Sequence, residues 1–159
     1  MAEVTYRNEN EIRDVVTSLE RCAFALSEFT HARHLTVACW YLCTLPRSEA
    51  LDRMRSGLQR FISHHGRQGY HETITRFWME LLGNYLCRCR KDQLVNKVNG
   101  ALERFASKDV LYDYYSRGLL TSEAARVTWI EPDLQPISDS NSESSQEFDR
   151  MVDALGKEA

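Results

Sequence analysis

Apolar residues recur at three- and four-residue spacing along nearly all of residues 8 to 130, and the 159-residue chain holds only three prolines, Pro46, Pro132 and Pro136. Proline lacks a backbone donor and clashes with the preceding helical turn, so its restriction to one interior position and a C-terminal pair leaves long helices as the dominant local structure. The pattern predicts an all-α, single-domain bundle of about five main helices, followed by short C-terminal helical pieces.

The first helix is expected to begin at Asn8, with Glu11 three residues on as a capping box and Ile12, Val15, Val16, Leu19, Ala23 and Leu26 in one stripe. Thr30 caps a second helix, which Pro46 ends. Ser48 caps a third, whose stripe of Leu51, Met54, Leu58, Phe61, Ile62 and His65 is closed by Gly66. A fourth spans Tyr70 to Cys89 with Ile74, Trp78, Leu81, Leu82 and Tyr85 inward. A fifth, from Asp92 to Ala106, buries Leu94, Val98, Ala101, Leu102 and Phe105. Shorter helical pieces are expected at KDVLYDYYSRG and TSEAARVTWI, the second capped by Thr121 or Ser122.

A chain of this length can bury about 70% of the surface its unfolded form exposes, which is enough for one core. No apolar run approaches the roughly 20 residues a bilayer span requires, and MAEVTYRNENE lacks the layout of a secretion signal, so no membrane partner and a cytoplasmic location are expected. The five cysteines, Cys22, Cys39, Cys43, Cys87 and Cys89, are odd in number and lie in helical segments, which favours free thiols over a disulfide framework. None of their spacings is the paired C-x-x-C of a structural zinc site.

The net charge of −3 is unevenly spread: residues 131 to 159 hold eight acidic and two basic residues, leaving 18 basic and 15 acidic in the remainder. A body this mildly basic gives no reason to expect a nucleic-acid partner, and the clusters Arg53, Arg55, Arg60 and Arg88, Arg90, Lys91 read as solvated helix faces. Beyond Trp129 the sequence EPDLQPISDSNSESSQEF has prolines, serines and acids and little to bury, as in a linker or a disordered stretch. Residues 1–137 are accordingly the helical domain and 138–159 an acidic, Ser-rich tail. Within that tail Phe148, Met151, Val152 and Leu155 have helical spacing, so a short helix over 148–156 could dock on the body or on a protein partner.

The segment FTHARHLTVACWYL places His31 and His34 in phase with Leu35, Ala38, Tyr41, Leu42 and Leu45. Both rings therefore face inward in a first helical turn, where unpaired amides and the positive end of the helix dipole disfavour imidazolium. Neutral imidazole binds metal or accepts a proton. His65 shares the apolar face of the third helix, His64 lies one step round towards solvent, and His71 sits in the first turn of the fourth. In an antiparallel arrangement of these helices His31, His34, His65 and His71 converge at one end of the bundle. Such a set, with Glu72 or Glu28, could hold Zn, Fe, Mn or Ni with a position left open for substrate. Glu28-x-x-His31 is one half of a di-iron pattern, but the second half is missing, so a di-iron site is not indicated. The bland reading of each histidine is a hydrogen-bonded structural side chain, and Glu72 has Arg76 at i+4 for a surface pair. Tyr112, Tyr114 and Tyr115 could line a pocket or simply fill core. Neither a Gly-rich phosphate loop nor a Gly-x-Ser-x-Gly elbow occurs.

Three segments, FTHARHLTVACWYL, GYHETITRFWMELL and DYYSRGLLTSEAARVTWIEPDLQPI, together resemble a family of small, uncharacterised bacterial all-helical proteins with His-x-x-His, Tyr-His-Glu-Thr and Trp-x-x-Pro-Asp-Leu segments. The resemblance spans about Phe29 to Ile137 and implies no reaction or ligand. It directs attention to His31, His34, Tyr70, His71, Glu72, Thr73, Tyr115, Ser116, Arg126, Trp129 and Asp133. Two function classes follow. One is a small metal-binding protein or metalloenzyme with ligands from His31, His34, His65 and His71 and Glu72 as acid or base. The other is a non-catalytic module that binds a small molecule or a protein and uses its histidines structurally.

Overall fold

The computed structural model describes residues 5–137. The tail from 138 onwards, including the expected helix over 148–156, lies outside the described residues. Five main helices form the body: α1 (Glu9–Glu20), α2 (His31–Thr44), α3 (Arg47–His64), α4 (Glu72–Arg88) and α5 (Leu94–Arg104). Three short ones follow, α6 (Leu111–Tyr114), α7 (Arg117–Leu120) and α8 (Glu123–Val127), with 3₁₀ turns at Leu26–Glu28 and Lys108–Val110. Among the described residues there is no strand, and no helix is long and apolar enough to cross a membrane.

Local chemistry explains the helix boundaries. Asn8 accepts the Glu11 amide at 3.1 Å as expected, but the Glu11 carboxylate reaches back to the Arg7 amide at 2.8 Å. The apolar stripe of α1 stops at Leu19, because Cys22 adopts a left-handed φ of 54° and turns the chain away. The Ala23 amide bonds the Ser18 carbonyl and the Cys22 amide the Leu19 carbonyl, the paired bonds of a Schellman ending with cysteine where glycine is usual. Ala23 and Leu26 therefore lie outside the helix, and Leu26 is exposed. α3 begins at Arg47 behind Pro46, with no side-chain cap, so Ser48 is inside the helix rather than capping it. Its other end matches expectation: Gly66 has a φ of 64°, and the Arg67 amide bonds the Ile62 carbonyl.

α2 is the hub. Residues 35 to 39 are buried on every face, and the helix packs against α1, α3, α4 and α5. Its neighbours supply Ile12, Val16 and Leu19 from α1, Met54, Leu58 and Phe61 from α3, and Val98 and Ala101 from α5. α4 has two apolar faces: Met79, Leu82 and Leu86 complete that core, while Phe77 joins a second cluster with Leu111, Tyr115 and Leu120. The short helices α6 to α8 thus fold back over α4.

The segment from Thr128 to Ile137 is not a free linker. It runs as a strap across α4, α6 and α7, tied by polar groups that its composition conceals. Buried Thr73 donates its hydroxyl to the Thr128 carbonyl at 2.7 Å and accepts the Ile130 amide at 3.2 Å. Tyr115 donates to the Ile130 carbonyl at 2.7 Å, and Asp133 accepts the Ser116 amide at 2.8 Å. The Leu134 amide bonds the Tyr114 carbonyl at 3.0 Å. Backbone groups that cannot find a helix or sheet partner are satisfied here by side chains projected from the helical body.

Candidate functional site

The Thr30 hydroxyl accepts the Arg33 amide and fixes where α2 begins, which places His31 and His34 in its first turn. The His31 ring packs edge-on against Trp78 of α4, with centroids 5.0 Å apart, and its Nε2 lies 2.9 Å from the Phe105 carbonyl at the end of α5. A carbonyl can only accept, so the proton is on Nε2 and Nδ1 is left bare in the neutral ring. Burial lowers the His31 pKa, against the pull of that hydrogen bond. His34, deeper in the same turn, has its ring centroid 4.0 Å from that of Phe29. Burial, reinforced by neighbouring His31, depresses its pKa to about 4, so the imidazole is neutral at physiological pH.

Both rings border a cavity of about 550 Å³ between α2, α3, α4 and the Lys108–Val110 turn. Its walls are largely apolar, with Leu35 and Ala38 from α2, Met54 and Leu58 from α3, and Trp78 from α4. Lys108, Asp109 and Tyr112 complete it from the chain that follows α5, and the first two of these are solvent-exposed. The cavity thus combines an apolar interior with two imidazoles and a charged mouth.

The other two candidate histidines are placed elsewhere. His65 donates Nε2–H to the Phe24 carbonyl at 2.9 Å and packs edge-on against Phe61, which ties the end of α3 to the connection after α1. His71 is the N-cap of α4: Nδ1 accepts the Ile74 amide at 3.1 Å while Nε2 donates to the Leu120 carbonyl at 2.8 Å. Both of its nitrogens are occupied. His64 is exposed. Among the described residues no three of His, Cys, Asp and Glu stand together as a metal-holding group.

Glu72 does not border the histidine cavity. Arg55 of α3 grips its carboxylate with Nε, 2.9 Å from Oε2, and with Nη2 on Oε1, and Tyr70 donates to Oε2 at 2.6 Å. These bonds, the Arg55 guanidinium first, hold its pKa below the usual carboxylate range. An anion so held accepts hydrogen bonds and does not donate a proton near neutral pH. The Arg76 that sequence spacing pairs with Glu72 lies instead over the Trp129 ring, its guanidinium carbon 4.8 Å from the centroid. Glu28 accepts the Ala25 amide at 2.8 Å and stays outside α2. The cysteines are free, and burial raises the Cys39 thiol well above its ordinary value, so it is no nucleophile.

Lys108 and Asp109 are charged cavity residues to which no sequence pattern points. Their 3₁₀ turn is three residues long and carries no apolar period. The chain matches no known protein family, no curated protein and no solved structure.

Proposed function

We propose that the cavity at the start of α2 binds a small organic molecule, mainly apolar or aromatic, that carries a hydrogen-bonding group for His34. The observation that carries this reading is a neutral imidazole bordering a mostly apolar space of about 550 Å³. That volume lies within the ~300–1,000 Å³ common for small-molecule sites, which pair apolar walls with a few placed polar groups. Trp78 offers an aromatic wall, and Lys108 and Asp109 at the mouth can select the charge of an entering group. The protein acts in this reading as a binding module.

The test is a thermal-shift and ligand-observed NMR screen with monocyclic aromatic alcohols, amines and acids. Ligands that bind the wild type should lose at least about tenfold in affinity in His34→Leu, the loss of one hydrogen bond in a dry site. They should be excluded by Ala38→Met, which fills the cavity. Absence of any binder at about 1 mM, or binding that survives Ala38→Met, removes the reading.

A metal reading is favoured by one observation, that His31, His34 and Asp109 border the same cavity. It requires Nδ1 of His31, or release of its Nε2 from the Phe105 carbonyl. Titration with Zn, Fe, Mn and Ni ions decides between the two: near-stoichiometric binding lost in the His31→Ala, His34→Ala double variant would replace the organic ligand with a metal.

A further inference from the structure

α4 also borders a second cavity, of about 570 Å³, outside the histidine site. Three guanidinium groups line it, Arg55 from α3, Arg76 from α4 and Arg126 from α8, together with the single carboxylate of Glu72. That carboxylate does not offset all three. Both of its oxygens are engaged by Arg55 and Tyr70, and Arg55 also reaches Asp52 through Nη1 at 2.9 Å. Among the described residues neither Arg76 nor Arg126 has a carboxylate within ion-pair distance. Glu131, the nearest acid of the strap in sequence, accepts from the Trp129 indole at 3.1 Å.

Arg76 shows a further sign of an unmet need. Its side chain is held over Trp129, and its Nε is shielded from solvent without a hydrogen-bond partner. A buried donor left unpaired is costly, and a guanidinium is suited to bidentate recognition of oxyanions. Two positive charges with no carboxylate at ion-pair distance, one fixed by an aromatic ring and one on an exposed side chain, border a cavity much larger than an inorganic ion.

We propose that this cavity binds the dianionic phosphate group of a small phosphate monoester, with Arg76 and Arg126 on the phosphate oxygens. The Arg55–Glu72–Tyr70 cluster forms one wall, and Trp129 offers an apolar surface to the organic part. The two unpaired cations match the two charges of the phosphate, so a monoanionic carboxylate of the same shape should bind more weakly.

The full chain is titrated calorimetrically at pH 8 and low salt with phenyl phosphate, inorganic phosphate and benzoate. Phenyl phosphate is expected to bind one to one, and benzoate at least about tenfold more weakly, since charge-assisted hydrogen bonds scale with the charge they pair. Arg126→Gln, at an exposed position, should weaken phenyl phosphate by about tenfold or more, and Arg76→Gln should do the same. Arg67→Gln, an exposed arginine away from the cavity, and His34→Leu, in the other cavity, should leave it unchanged. No binding at about 10 mM phenyl phosphate, equal affinity in Arg126→Gln, or benzoate as tight as phenyl phosphate would overturn the proposal. Because His34→Leu tests the other cavity alone, failure there and failure here are separable.

Discussion

Lowering the pH from 7 to 4.5 should destabilise the protein through His34, whose pKa is about 4 in the folded chain against an ordinary 6.5. Between those values the unfolded chain binds a proton that the folded chain refuses, so acidification pulls the equilibrium towards unfolding. The contribution of His34 is complete above the unfolded pKa, falls as pH drops through the window, and is gone below about 4. At about 1.36 kcal/mol per unit, the loss between pH 7 and pH 4.5 is about 2 kcal/mol. His31 is shifted the same way and adds to the slope, whereas the lowered carboxyl of Glu72 matters only near and below its ordinary pKa. Comparison with His34→Leu isolates the one ring, because leucine suits the apolar surroundings of Phe29 and Trp78 and does not titrate. Urea unfolding followed by circular dichroism at pH 7, 5.5 and 4.5 gives the two stability curves. The wild type should lose about 2 kcal/mol more than the variant across the window. Parallel curves, agreeing within about 0.5 kcal/mol, would refute the assignment of His34 as a ring held neutral by burial.

Three further outcomes follow from the contacts. His71→Ala removes both the cap on the Ile74 amide and the tie to the Leu120 carbonyl, and should cost about 1–3 kcal/mol in urea unfolding, with His71→Asn recovering the capping part. Thr73→Val keeps the shape but orphans the Thr128 carbonyl and the Ile130 amide, so about 1–3 kcal/mol should be lost and Trp129 fluorescence should shift to the red as the strap loosens. Truncation after Ile137 should leave the melting temperature and oligomeric state unchanged, and a loss of more than about 1 kcal/mol would show that the acidic tail docks on the body.

The main helices were legible because each repeats an apolar stripe whose phase one window can detect. Spacing alone places Val98, Ala101 and Leu102 of α5, and Phe105 at its end, in the core, and they are buried. The misreadings occur where a single residue or a distant partner decides. Cys22 takes a left-handed conformation with no glycine to announce it, so the apolar spacing runs on past the true end of α1. The strap has the composition of a linker because its own side chains bury little; its order comes from Thr73, Tyr115 and Ser116, up to 57 positions away in sequence. Arg55 has the local pattern of a solvated face for the same reason, since its partner Glu72 lies on the next helix. Local periodicity carries no information about such pairs.

The histidines show how the same chemistry serves two ends. A helix terminus leaves carbonyls without partners, and a neutral imidazole can donate from one nitrogen while the other accepts or stays bare. His31 ties the Phe105 carbonyl, His65 the Phe24 carbonyl and His71 the Leu120 carbonyl, each at the end of a helix or in a connection. These ties fasten α5, the connection after α1, and α7 to the first or last turn of another helix, which is why histidines cluster at helix ends in the sequence. The in-phase spacing of His31 and His34 therefore has two different causes. His31 closes a joint, and in doing so turns its ring edge to Trp78 and shapes one wall of the cavity. His34, tilted against Phe29 and deeper in the same turn, borders the cavity as a neutral polar group among mostly apolar ones. A backbone hydrogen bond to Thr30 engages one side of the ring, and a ligand that bonds the other nitrogen completes its hydrogen bonding, which makes His34 the residue on which a binding function should depend.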